Sequence, residues 1–94
     1  MEPTFEWDET KARQNLRKHN ISFEEAATVF GDPMSVTVPD PRHSDKEDRY
    51  VVIGCSANQQ TLVVVYTMRG RNIRVISCRK ATRSERKAYE KGKN

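Results

Sequence analysis

His43, Glu47 and Arg49 stand close together in a strongly polar stretch that runs from Pro39 to Arg49. An imidazole changes charge near neutral pH, so His43 is the natural general acid or base of this chain. Glu47 follows four residues later and can orient the imidazole or act as the base itself, while Arg49 can bind phosphate. Solvated loop charges with no chemical task account for the same residues. Arg69 and Arg79 end the two most apolar runs of the sequence. A guanidinium grips two phosphate oxygens at once, which suits it to negative charge that grows in a transition state. It stays protonated at ordinary pH, so neither arginine is a general base. Strand-end charges facing water are the plain alternative.

These side chains must be carried by elements that the pattern makes visible. Phe5 and Trp7 alternate with polar neighbours as in a short strand over Thr4 to Trp7, and Asp8 can cap a helix through about His19, with Asn20 as a left-handed stop. Lys11, Asn15 and Lys18 fall at i, i+4 and i+7 on that helix, where the lysines can neutralise phosphate or simply solubilise the surface. Ala12 and Leu16 give it a thin apolar stripe, and His19 reads as a cation favoured at the helix C-terminus. Ser22 and Glu25 form a capping box for a second helix, whose Phe23, Ala26, Ala27 and Phe30 face a core. Gly31-Asp32-Pro33 ends it.

Met34 to Val38 reads as a strand, followed by the long polar loop that holds His43. Tyr50 to Ser56, Leu62 to Met68 and Ile73 to Arg79 are β-branched runs joined by short turns, as in antiparallel hairpins. The middle run is apolar on both faces and belongs at the centre of the sheet. Tyr66 within it reads first as a core aromatic and second as a stacking surface for a base. Thr82 and Glu85 repeat the capping box and open a final, very polar helix. Two N-terminal helices, a strand meander and one C-terminal helix make an α+β plan. A chain of 94 residues has room for one hydrophobic core, so one domain over 1–94 is expected.

The net charge of +4 conceals an asymmetry: residues 61 to 94 carry ten basic and two acidic side chains, whereas the first sixty residues are net acidic. A basic C-terminal third concentrates a polyanion at one surface, although a solvated basic helix has the same composition. Cys55 and Cys78 lie in strand-like runs with no His or Cys at metal-ligand spacing, so they read as small core hydrophobes. No cofactor and no metal are expected. The lack of a long apolar run or an N-terminal h-region points away from membranes and towards the cytoplasm.

Phe5-Glu6-Trp7-Asp8, then Lys11, Asn15, Lys18-His19, and Ile21 with Phe23-Glu24-Glu25-Ala26, resemble in type and spacing the N-terminal signature of the BrnT toxins. Asp32-Pro33, His43-Ser44, Glu47-Asp48-Arg49, Val65-Tyr66-Thr67 with Arg69, and Ile73 to Ser77 with Arg79-Lys80-Ala81 continue the match in order. The resemblance spans essentially the whole chain. It implies a RelE-like sheet with helices on one side, RNA cleavage without a metal, and arrest of translation. It also implies neutralisation by a BrnA-type ribbon-helix-helix antitoxin, in a complex of two toxins and two antitoxins that reaches operator DNA only through the antitoxin. On this reading Arg69, Arg79, His43 and Glu47 are catalytic, and Arg49, Tyr66, Lys11, Lys18, Lys80 and Arg83 bind RNA. A basic module that binds nucleic acid without cutting it, or acts as a co-repressor in a complex, is the alternative, because fold resemblance does not by itself fix function.

Overall fold

Asp8 accepts a hydrogen bond from the Lys11 backbone N–H, which starts helix α1 (Glu9–His19), and Asn20 ends it in the left-handed conformation with φ of 59°. Both signals act as the sequence requires. The computed structural model describes residues 3–41 and 47–92. Before α1 lies strand β1 (Thr4–Glu6). After it come α2 (Phe23–Thr28) and a single 3-10 turn (Val29–Gly31), then β2 (Val36–Pro39), β3 (Arg49–Cys55), β4 (Thr61–Arg69), β5 (Asn72–Lys80) and α3 (Arg83–Lys91).

The five strands form one sheet in the order β1-β5-β4-β3-β2. The apolar β4 is central, as its two-faced pattern demands. β2 to β5 pair antiparallel, but β1 runs parallel to β5, so the sheet is mixed rather than a pure meander. β2 begins two residues later than expected. The Asp32 carboxylate accepts from the Met34 N–H and the Asp32 carbonyl from the Ser35 N–H, so these two residues are spent on a turn.

One face of the sheet packs on α1 and α2. Val52, Leu62, Val64, Val75 and Cys78 meet Ile21, Phe23, Ala26 and Val29 there, all of them buried. Trp7 packs edge-on against Phe23 with ring centroids 5.9 Å apart, the anchoring role its position implies. Cys78 belongs to this core, and burial pushes its thiol up to about 12. Cys55 does not: it is only half-buried, at the end of β3. Gly54 is required by close approach, since a Cβ there would lie 2.9 Å from Val29 Cγ1 and 3.0 Å from Ser35 Cβ.

The expected stripe on α1 is displaced. Leu16 is 47% exposed, whereas the polar Asn15 is only 7% exposed. The cause lies in the shortness of β1, which pairs with β5 only from Asn72 to Arg74. Further along, the edge of β5 has no strand beside it. Asn15 takes that place: its Oδ1 accepts the Cys78 N–H at 3.0 Å, and its Nδ2 donates to the Ile21 carbonyl at 3.2 Å. Replacing Asn15 with alanine would strand a buried donor and a buried acceptor, so Asn15→Ala is expected to cost about 1–3 kcal/mol. A lowered midpoint in urea unfolding with an unchanged m-value would register it.

The Ser22 capping box is only half formed. Ser22 Oγ accepts from the Glu25 N–H, but the Glu25 carboxylate turns away to Ser56 Oγ at 2.7 Å and Gln60 Nε2 at 2.8 Å. Glu25 thereby fastens α2 to the β3–β4 turn. The Thr82 box at the start of α3 is complete.

Candidate functional site

Residues directly opposite one another in an antiparallel pair point to the same side of the sheet. The register therefore places Ile53, Val63 and Arg79 in one row on the face away from α1 and α2, and Val38, Val51, Val65 and Ser77 in the next. A groove of about 670 Å³ lies over these rows. Its floor is aliphatic, formed by Val38, Val51, Ile53, Val63 and Val65. Lys18 and His19, from the last turn of α1, border it together with Arg79 and Glu85. Beyond the floor a third row holds Arg49, Thr67 and Arg74.

Arg79 is gripped at its end by a carboxylate. Its Nη1 donates to Glu85 Oε1 at 2.8 Å and its Nη2 to Glu85 Oε2 at 2.9 Å. Glu85 Oε1 also accepts the Thr82 N–H at 2.8 Å, completing the cap of α3. The hydrogen bond from Arg79, with that from the Thr82 backbone, holds the Glu85 carboxyl down at about 2. A carboxyl depressed in the folded state stabilises the fold above its ordinary range near 4.5 and loses that contribution as pH falls towards 2. The pair is therefore intact throughout the neutral range. At its other end α3 is fastened by Tyr89, whose hydroxyl donates to Asp32 Oδ2.

Two further arginines of this face, Arg49 and Arg74, are also engaged. Arg49 Nε donates to Glu47 Oε1 at 3.1 Å, and Arg74 Nη1 donates to Glu6 Oε2 at 3.2 Å. Glu47 and Arg49, placed in one cluster by their spacing, thus meet as an ion pair at the entrance to β3. His43 lies outside the described residues. The base of its loop is closed by the Asp40 N–H on the Arg49 carbonyl and by Thr67 Oγ1 on the Asp48 carbonyl.

Arg69 and Arg79 are not brought together. Arg69 pairs with Asn72 at the tight end of the β4–β5 hairpin, whereas Arg79 pairs with Val63 near its open end. Seven residues of β5 separate the two levels, a span of roughly 23 Å, so one phosphate cannot contact both. Tyr66 is half-buried and does not line the groove. It lies on the helix-covered face, with its ring 5.0 Å from Phe30 and 5.5 Å from Tyr50, and the sheet stands between it and the groove. Burial raises its hydroxyl.

Of the helical cations, Lys18 borders the groove, while Lys11 is exposed beside a smaller depression near Ser77. Lys80 sits with Arg86 in a separate hollow near the β3–β4 turn, and Arg83 is exposed at the first residue of α3. Two groove residues escaped the reading of the sequence. In sequence His19 reads as a helix-terminal cation, and its adjacency to Lys18 is the available signal for the groove. In sequence Glu85 reads as a cap alone, because nothing local shows that a capping carboxylate also reaches a strand six residues earlier.

The model of a family described as the ribonuclease toxin, BrnT, of type II toxin–antitoxin systems matches residues 7–85. The chain belongs to the BrnT family. The crystal structure of the Brucella abortus ribonuclease toxin, BrnT, superposes with a TM-score of 0.64 at 24% identity, covering 87% of this chain and all of that one. This likeness establishes the BrnT fold: three helices on a five-stranded mixed sheet. No curated protein matches the chain. BrnT membership makes an antitoxin its partner. Among the described residues no cluster of His, Cys, Asp or Glu has the makings of a metal site, and no helix is long and apolar enough to cross a membrane.

Proposed function

We propose that this chain is a BrnT endoribonuclease that cuts RNA without a metal and so arrests translation, acting as one domain in the cytoplasm. The observation that carries this reading is the meeting of Arg79, Lys18 and His19 around a groove on the open sheet face of a BrnT toxin. In the reaction, a ribose 2′-OH attacks the neighbouring phosphorus as the bond from phosphorus to the 5′-oxygen breaks. A base takes the 2′ proton and an acid supplies one to the leaving oxygen. Arg79 stabilises the charge that accumulates on the phosphorane, and Lys18 holds the strand in place.

Proton transfer falls to His43 in this proposal, with Glu47 and Arg49 ordering the base of its loop. The position of His19 on the groove supports a second assignment, in which that imidazole serves instead. Arg69 binds a distant part of the RNA, while Lys11, Lys80 and Arg83 widen the attracting field. A BrnA-type ribbon-helix-helix antitoxin neutralises the toxin in a complex of two copies of each, and only the antitoxin touches operator DNA. Expression of the chain alone is expected to stop growth and degrade RNA, and the purified protein is expected to cleave RNA in the presence of EDTA. Normal growth with intact RNA, or cleavage abolished by EDTA, would contradict this reading. Salt-sensitive RNA binding without products would point to a binding module.

A further inference from the structure

We propose that Glu85 is a positioning residue that presents one free edge of the Arg79 guanidinium to a phosphate in the groove, a role that rests on the ribonuclease reading above. A guanidinium carries five N–H donors on three nitrogens. In Arg79 two of them meet the two oxygens of Glu85, and Nη1 donates also to the Lys80 carbonyl at 3.3 Å. The donors left are Nε–H and the second hydrogen of Nη2. These two lie on the same side of the planar group and point in parallel, the arrangement that takes two oxygens of one phosphate.

Arg79 differs in this from Arg49, whose Nε is already spent on Glu47. Glu85 is itself held rigidly. Its N–H donates to Thr82 Oγ1 and its carboxylate accepts the Thr82 N–H, so the first turn of α3 serves as the fixed mount for the guanidinium. A long, flexible arginine oriented in this way loses less freedom on meeting the phosphate, and the correct geometry is already populated when the negative charge develops. Glu85 makes no contact with the reacting atoms. Its effect passes entirely through Arg79.

A double-mutant cycle with Glu85→Ala, Arg79→Ala and the double variant tests this, using single-turnover cleavage of a short single-stranded RNA at a temperature where every variant is folded. Glu85→Ala is expected to slow cleavage about tenfold or more and to have no further effect once Arg79 is alanine. Glu85→Gln keeps an oxygen for Arg79 and for the cap and is expected to recover part of the rate. In parallel, the Arg79 Nε–H signal is followed by NMR while the same RNA, methylated at every 2′-oxygen to prevent cleavage, is added. It should shift in the wild type, and at least about tenfold more RNA should be needed in Glu85→Ala. Equal rates in wild type and Glu85→Ala, an equal loss in the Arg79→Ala background, or an Nε–H signal insensitive to the RNA would overturn the positioning role. Wild type that shifts the signal but never cleaves would overturn the ribonuclease reading and leave the role of Glu85 standing.

Discussion

Arg79→Ala is expected to lower the cleavage rate by about 10²–10³-fold, the loss typical of removing one preorganised donor from a developing oxyanion. The protein should remain folded, because Arg79 is half-exposed and the α3 cap keeps its own Thr82–Glu85 hydrogen bonds. Arg69→Ala is the informative companion. It stands roughly 23 Å away along the hairpin, too far to share a phosphate with Arg79. Its loss should weaken RNA binding several-fold and raise KM while leaving kcat nearly unchanged, since it holds substrate and transition state alike. Steady-state kinetics on one RNA with both variants separates the two roles. A fall in kcat for Arg69→Ala as deep as that for Arg79→Ala would refute this division, and unfolding of Arg79→Ala in circular dichroism would remove the basis for assigning it to catalysis.

The second large effect is expected at His43. If its imidazole transfers the proton, His43→Ala should slow cleavage by about 10²–10⁴-fold. The limb of the pH–rate profile near neutrality should vanish with it. Glu85 cannot supply that limb, because its carboxyl titrates at about 2, far below the neutral range. The remaining candidate is His19, the other histidine of the chain, which borders the groove beside Lys18. Measuring both alanine variants from pH 5 to pH 9 decides between them: the variant that loses the limb, and not merely rate, identifies the proton carrier. Persistence of the limb in both variants would exclude histidine from the chemistry.

The basic C-terminal third shows how far composition reaches. It places an excess of cations on β4, β5 and α3, and the attraction of such a surface for polyanions needs no structure to state. The open face, however, pairs Arg49, Arg74 and Arg79 with Glu47, Glu6 and Glu85. Two of these carboxylates come from the acidic part of the chain, so segments that look electrostatically separate in sequence are interleaved in space. Net charge by segment therefore overstates the positive charge that an RNA meets at the groove.

By itself the sequence determined the elements that depend on neighbours along the chain. Asp8, Asn20, Thr82 and Glu85 mark helix ends through hydrogen bonds spanning three or four residues, and alternating or two-faced apolar runs mark β3, β4 and β5. It also carried the family, because many short motifs in register are a property of order alone. Only the tertiary structure decided what depends on long-range pairing: that β1 joins β5 in parallel, and that Asn15 turns inward to serve the bare β5 edge while Leu16 faces water. The same pairing decided that Tyr66 lies behind the sheet and that Arg69 stands far from Arg79. The reason is physical. Each such placement is fixed by register across strands and by which backbone donors are left without a partner, and those quantities do not exist until the sheet has closed.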